Sequence, residues 1–240
     1  MNVNSRIRKS GTLFLVVLLL FCVSCKKSQV RLSGVFENAN KRYMLLSRIE
    51  PDEVIFLDTV WLSKGKFSYV LTEESIGVYL LKYNDTTLLS FLARSGEKLL
   101  FSGDAKDLNT TYDVQGSDET RLLLETRRRL NQFYDKSKAW SVIFLQHTYK
   151  DDYEEVSAHL DSLFHQEFSF HKEYLTQFIH QHNGNLAALL AFYQKIGNHA
   201  FFDEQKDRAL LQEIHTALSQ TYPNSIYVED LKEKLEEREY

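Results

Sequence analysis

Ser95-Gly96-Glu97-Lys98-Leu99-Leu100-Phe101-Ser102-Gly103-Asp104, followed by Val114-Gln115-Gly116-Ser117-Asp118-Glu119, is the stretch on which the fold turns. Up to Gly116 the apolar residues come in short runs: Val54–Leu57, Phe67–Leu71, Val78–Leu81, Leu88–Ala93 and Leu99–Phe101. Phe67, Tyr69 and Leu71 alternate with Ser68 and Val70, the period of a strand with one buried face. Turn residues separate the runs: Ser63-Lys64-Gly65, Asn84-Asp85, Ser95-Gly96 and Gly103-Asp104. They recur every 8–12 residues, roughly the spacing of an antiparallel sandwich or barrel, and predict seven or eight strands. No helical pattern lies between the runs, so a parallel α/β sheet is not expected.

At Ser117 the period changes. Ser117 has the chemistry of an N-cap, and Asp118 and Glu119 place negative charge in the first turn of a helix. From there the pattern is helical to the end. Asp152 and Glu155 resemble a capping box ahead of a long helix. Its apolar stripe is Val156, Leu160, Leu163, Phe164, Phe168, Leu175, Phe178 and Ile179. Gly184 breaks that helix. A shorter helix is expected over Leu186–Ile196, closed by Gly197, then another from Asp203 to Gln220 and a last one from Ile226. The fold class is therefore α+β: an antiparallel β-sandwich or small barrel over 30–116, then an all-helical half over 117–240. Pro51 and Pro223, the two prolines, both fall between elements.

The first 25 residues are of another kind. Arg6, Arg8 and Lys9 precede an apolar run from Thr12 to Val23, and then come Ser24 and Cys25. This is the layout of an export signal, and the run is too short to span a bilayer as a helix. Val23-Ser24-Cys25 resembles the cleavage site of a bacterial lipoprotein, with Cys22 standing where an aliphatic residue is usual. The resemblance implies a signal peptide over 1–24, acylation (palmitate included) of Cys25, and a short tether over 25–29. An ordinary secretory signal with a cysteine nearby is the alternative. Lys26 and Lys27 follow the cysteine where outward-displayed Bacteroidota lipoproteins carry acidic residues. The resemblance thus implies the periplasmic face of the outer membrane.

Charge divides unevenly. Residues 26–116 hold 12 basic and 12 acidic side chains, and residues 117–240 hold 14 and 21. An acidic mature chain argues against nucleic acid as a partner. Cys25 is the one cysteine after the signal, so no disulfide and no C-x-x-C redox chemistry is available after cleavage.

The strand half also resembles a domain of unknown function that precedes thioredoxin-like, thiol-disulfide reductase domains in Bacteroidota envelope lipoproteins. The matching residues are Asp58-Thr59-Val60, Gly65-x-Phe67, Ser95-Gly96-Glu97-x-Leu99-x-Phe101-Ser102-Gly103-Asp104 and Val114-x-Gly116-Ser117, with a helical stretch after them. In that family the helices lead through a segment like Pro223-Asn224-Ser225 into the reductase domain. The chain ends at Tyr240, and the family's catalytic cysteines have no position here. The resemblance implies an accessory half without its redox domain.

Candidate chemistry is sparse. All eight histidines follow residue 146: His147, His159, His165, His171, His180, His182, His199 and His215. No histidine pair has the i,i+4 spacing of a shared metal ion; the nearest sets are His165, Glu167 and His171, or His180 with His182. A surface Glu–His pair with part-buried imidazoles is the favoured reading. Asp151-Asp152 and Glu154-Glu155 sit where a helix start wants acids, and Arg127-Arg128-Arg129 reads as a solvated face near Glu125 and Asp135. Trp61 on a strand and Trp140 on a helix are expected in the core. No serine elbow, phosphate loop or zinc signature occurs.

The expected function is a non-catalytic, lipid-anchored binding or interaction module. It has no cofactor, no metal site and no catalytic residue. Its partners are the membrane and a thioredoxin-like or other envelope protein. Two alternatives stand beside it: a hydrolase or metal-dependent enzyme using the His-rich helices, and a structural subunit of an outer-membrane assembly.

Overall fold

The computed structural model describes residues 29–72 and 76–236; the signal, Cys25 and the two lysines after it lie outside the described residues. Seven strands come first: β1 Gln29–Glu37, β2 Tyr43–Ile49, β3 Val54–Trp61, β4 Lys66–Thr72, β5 Gly77–Asn84, β6 Thr87–Ala93 and β7 Lys98–Asp104. One helical turn, α1 Leu108–Thr111, and β8 Asp113–Gln115 complete the strand half. The strands form two four-stranded sheets, in the orders β4-β1-β7-β8 and β3-β2-β5-β6. Neither sheet closes, so the architecture is a sandwich rather than a barrel. All neighbouring strands are antiparallel except β1 and β7, which run parallel.

Alternation builds the core. Val30, Leu32, Gly34 and Phe36 of β1 point inward while their neighbours face out. The rings of Phe36, Phe67, Phe101, Phe91 and Tyr79 touch in sequence across both sheets, with centroids 5.1–5.7 Å apart. Each buried ring contributes about 2–3 kcal/mol by leaving water. Gly34 is the hole in this layer: a Cβ there would sit 2.5 Å from Phe67 Cε1.

Gly116 makes the switch between halves. It has φ +96°, and a Cβ would meet Lys98 O at 2.0 Å, so only glycine lets the chain pass over β7 into a helix. Ser117 then caps α2, Asp118–His147, by accepting a bond from Thr120 N at 3.3 Å. The helical half continues with α3 Tyr153–His182, α4 Leu186–Phe192, the hairpin β9 Lys195–Ile196 and β10 His199–Ala200, α5 Arg208–Thr221 and α6 Ile226–Glu236.

Three local expectations are corrected. Asp152 makes no capping bond; its carboxylate takes His147 Nδ1 at 2.8 Å instead. The helix expected to reach Ile196 stops at Phe192, and Gly197, at φ +56°, belongs to the β9–β10 turn. That hairpin returns Ile196, Phe201 and Phe202 to the core, which a continued helix would not do. Helix α5 starts at Arg208 rather than Asp203 because Asp203 Oδ1 accepts from Gln205 N and Lys206 N, holding a turn.

The halves share one interface. Thr120 Oγ1 accepts from Leu92 N at 3.0 Å and donates to Leu92 O at 2.6 Å. Tyr227 Oη accepts from Val78 N and donates to Ile49 O. Ile76, Val78 and Leu92 of the sheet are buried within the helical core. Seven residues after Thr120, Arg127 donates to Leu88 O, so α2 runs antiparallel to β6. Its start therefore lies at the end of the sandwich where β1 begins, beside Gln29 O, which accepts from Gly96 N.

Candidate interaction surface

The polar candidates scatter. Glu167 turns to Lys136 at 2.6 Å, while His171 faces Gln194, so His165, Glu167 and His171 do not converge. His180 pairs with Glu213, and His182 packs on Phe178. His199 packs on Phe164, and His215 meets Ser219. Among the described residues no three His, Cys, Asp or Glu side chains gather as a metal site. Nor is any described helix long and apolar enough to cross a membrane.

His171 is 1 % exposed among Phe133, Phe201 and Tyr174, and burial lowers its pKa. Its partner Gln194 donates in turn to the buried Thr126. Burial, with Glu125 beside it, pushes the Tyr174 phenol up to about 12.

The arginine run is not a plain solvated face. Arg127 donates to Ser90 Oγ and Tyr112 Oη and lies over the Tyr112 ring, pinning α2 to the sheet. Arg128 pairs with Asp113, and Arg129 covers Tyr174. Trp140 is partly buried, packing edge-on against Phe133 at the margin of the helical core. Trp61 is not the core ring expected: it is 69 % exposed, edge-on to Tyr43, because it lies on the outer face of the edge strand β3 while its neighbour Val60 points into the core. Phe56 is exposed on the same strand. A bulge opposite Leu46/Ser47 and the acid Asp58 blunt that edge against pairing.

The larger apolar surface is on the helices. At 1.5 Å per residue the 30-residue α2 is about 45 Å long, against about 23 Å for the seven residues of β6. The helix outruns the sandwich. Its buried residues end at Phe133, and the first buried residue of α3 is Leu160. Between them, residues 134–159 form a two-helix arm. Contacts of Phe133 with Phe164 and Phe144 with Tyr153 fix its register.

Phe133, Trp140 and Phe144 point toward α3. A second stripe, Lys138, Val142, Leu145 and Tyr149, advances in steps of three and four on an outer face, while Tyr134 at its base donates to Lys195 O and accepts from Gly197 N of the β9–β10 hairpin. Leu145 is 71 % exposed and Tyr149 fully so. Beside this stripe, Trp140, Phe144, Leu145, Leu160 and Phe164 floor an open groove of about 320 Å³. Unlike the inward stripe of α3, this outer one is hard to see in the sequence. Its signal is present in the 138–149 spacing, interleaved with the residues that face α3.

No protein-family model, curated protein or solved structure matches the chain.

Proposed function

We propose that this chain is a lipid-anchored interaction module of the bacterial envelope, held at the periplasmic face of the outer membrane and doing no chemistry of its own. The exposed apolar arm carries the reading. Exposed leucine, valine and tyrosine on a protruding helical pair are costly to leave in water and mark a surface that meets another protein. The anchor supports it geometrically. Three residues separate Cys25 from Gln29, so the lipid reaches no further than about 14 Å from the start of β1. The β1-start end is therefore membrane-proximal. Helix α2 begins at that end and carries the arm away from it, into the space where partners are met.

Two measurements test the reading. Cys25→Ser should abolish palmitate labelling and release the protein from the membrane fraction. Pull-down of the lipidated protein from its own envelope should recover a protein partner, and the double variant Leu145→Lys/Tyr149→Lys should lose it. An unchanged set of captured proteins would overturn the role of the arm.

A further inference from the structure

We infer that the arm's occupant is the arm of a second copy of this chain, the two packing side by side as a four-helix bundle. This rests on the reading of the arm as the interacting surface. A symmetric interface needs one patch that is complementary to itself. The arm provides it: the exposed stripe of α2 adjoins the groove floored by Trp140, Phe144, Leu160 and Phe164, and Leu145 belongs to both. A two-fold axis along the arm sets α2 of each copy against α3 of the other. The groove residues then become the inner layer of a four-helix core.

Charge follows the same symmetry. Residues 134–150 carry Lys136, Lys138 and Lys150 against Asp135 alone. Residues 151–167 carry six carboxylates and no lysine or arginine. The Phe133–Phe164 and Phe144–Tyr153 contacts put Lys138 at the level of His159, two residues or about 3 Å along the helix from Asp161. Helical spacing turns both toward the groove face, where Asp161 lines the rim. Among the described residues neither makes an ion pair within the chain, although Lys136 and Glu167 on the opposite side do. In the two-fold pair, each Lys138 meets the other copy's Asp161.

The axis suits the anchor. A two-fold along the arm keeps both β1-start ends, and so both lipids, in one leaflet; an axis across it would send them apart. The arm face measures about 24 Å by 20 Å, so the pair buries on the order of 1,000 Å², at the small end of specific interfaces. Tethering both copies to one membrane raises their effective concentration and offsets that modest area.

The test co-expresses two differently tagged copies in the native envelope, one Lys138→Cys and the other Asp161→Cys, both keeping Cys25 for the lipid. A mixed disulfide between the tags is expected, and neither variant should form it with a copy carrying Val70→Cys, on the outer face of β4. In sedimentation of the soluble mature chain, Lys138→Glu should weaken self-association about tenfold, and Lys138→Glu/Asp161→Lys should restore it. No mixed disulfide, together with a monomer insensitive to either charge change, overturns the pairing. If Leu145→Lys/Tyr149→Lys then still loses another captured protein, such as one with a thioredoxin fold, the interaction reading survives and self-pairing alone falls. If nothing is captured, both fall.

Discussion

Tyr222 Oη donates a 2.6 Å hydrogen bond to Glu119 Oε1, joining the end of α5 to the first turn of α2 across 103 residues. Oε2 of the same carboxylate accepts from Ala187 N at the start of α4. One acid, 4 % exposed, thus satisfies donors from two other helices, next to the glycine–serine switch that begins the helical half. Removing it strands both donors. Glu119→Ala should destabilise the chain by about 3 kcal/mol and Tyr222→Phe by about 1 kcal/mol, with coupling between them in a double-mutant cycle. Denaturant unfolding checks this, and additive losses would contradict it.

Burial raises the Glu119 pKa above the ordinary carboxylate value, despite the bonds from Tyr222 and Ala187 that favour its ionised form. The neutral acid is thus the better-tolerated form in the fold. The stability this lends is fully present below the unfolded pKa and is lost as pH rises through the folded one. Wild type should therefore lose stability relative to Glu119→Gln as pH is raised from about 4 to 7. Parallel pH profiles for the two proteins would contradict the assignment.

His171 acts in the opposite direction. Burial lowers its pKa, outweighing the Gln194 bond, so the fold holds it neutral. Its contribution is present above the unfolded value near pH 6.5 and is lost as pH falls toward the folded one. An NMR titration should place the imidazole below 6.5, and His171→Gln should flatten the acid limb of the stability curve.

Gly116→Ala combines left-handed backbone with a Cβ 2.0 Å from Lys98 O. It should cost at least about 2 kcal/mol, since β7 or the start of α2 has to move. A melting temperature within a degree of wild type would show that the switch needs no glycine.

Much of this fold was legible because its signals are local. Turn glycines and alternating runs marked the strands, and Ser117 marked the change of period. The parallel pairing of β1 with β7 was not legible, since it joins segments about 67 residues apart and no local pattern encodes it. Gly197 looked like a helix stop because Leu186–Ile196 is apolar on most sides, whereas Phe201 and Phe202 beyond it pull the chain into a hairpin. Asp152 misled for a similar reason: the capping spacing was there, but His147 captured the carboxylate. The arm is not legible in the sequence because exposure is set by what fails to pack. Leu145 reads like a core leucine until the sandwich proves shorter than α2.

Leu145→Lys should change association and leave stability within about 0.5 kcal/mol, because that side chain is largely in water already. A large loss of folding stability would instead make the arm part of the core.

The most direct measurement is site-specific photo-crosslinking in intact envelopes, with the photoreactive residue placed at Leu145 or, as control, at Val70 on the outer face of the sandwich. A discrete protein adduct is expected from Leu145 and none from Val70. Equal, diffuse adducts at both positions would contradict the claim that this chain is an anchored module working through its arm.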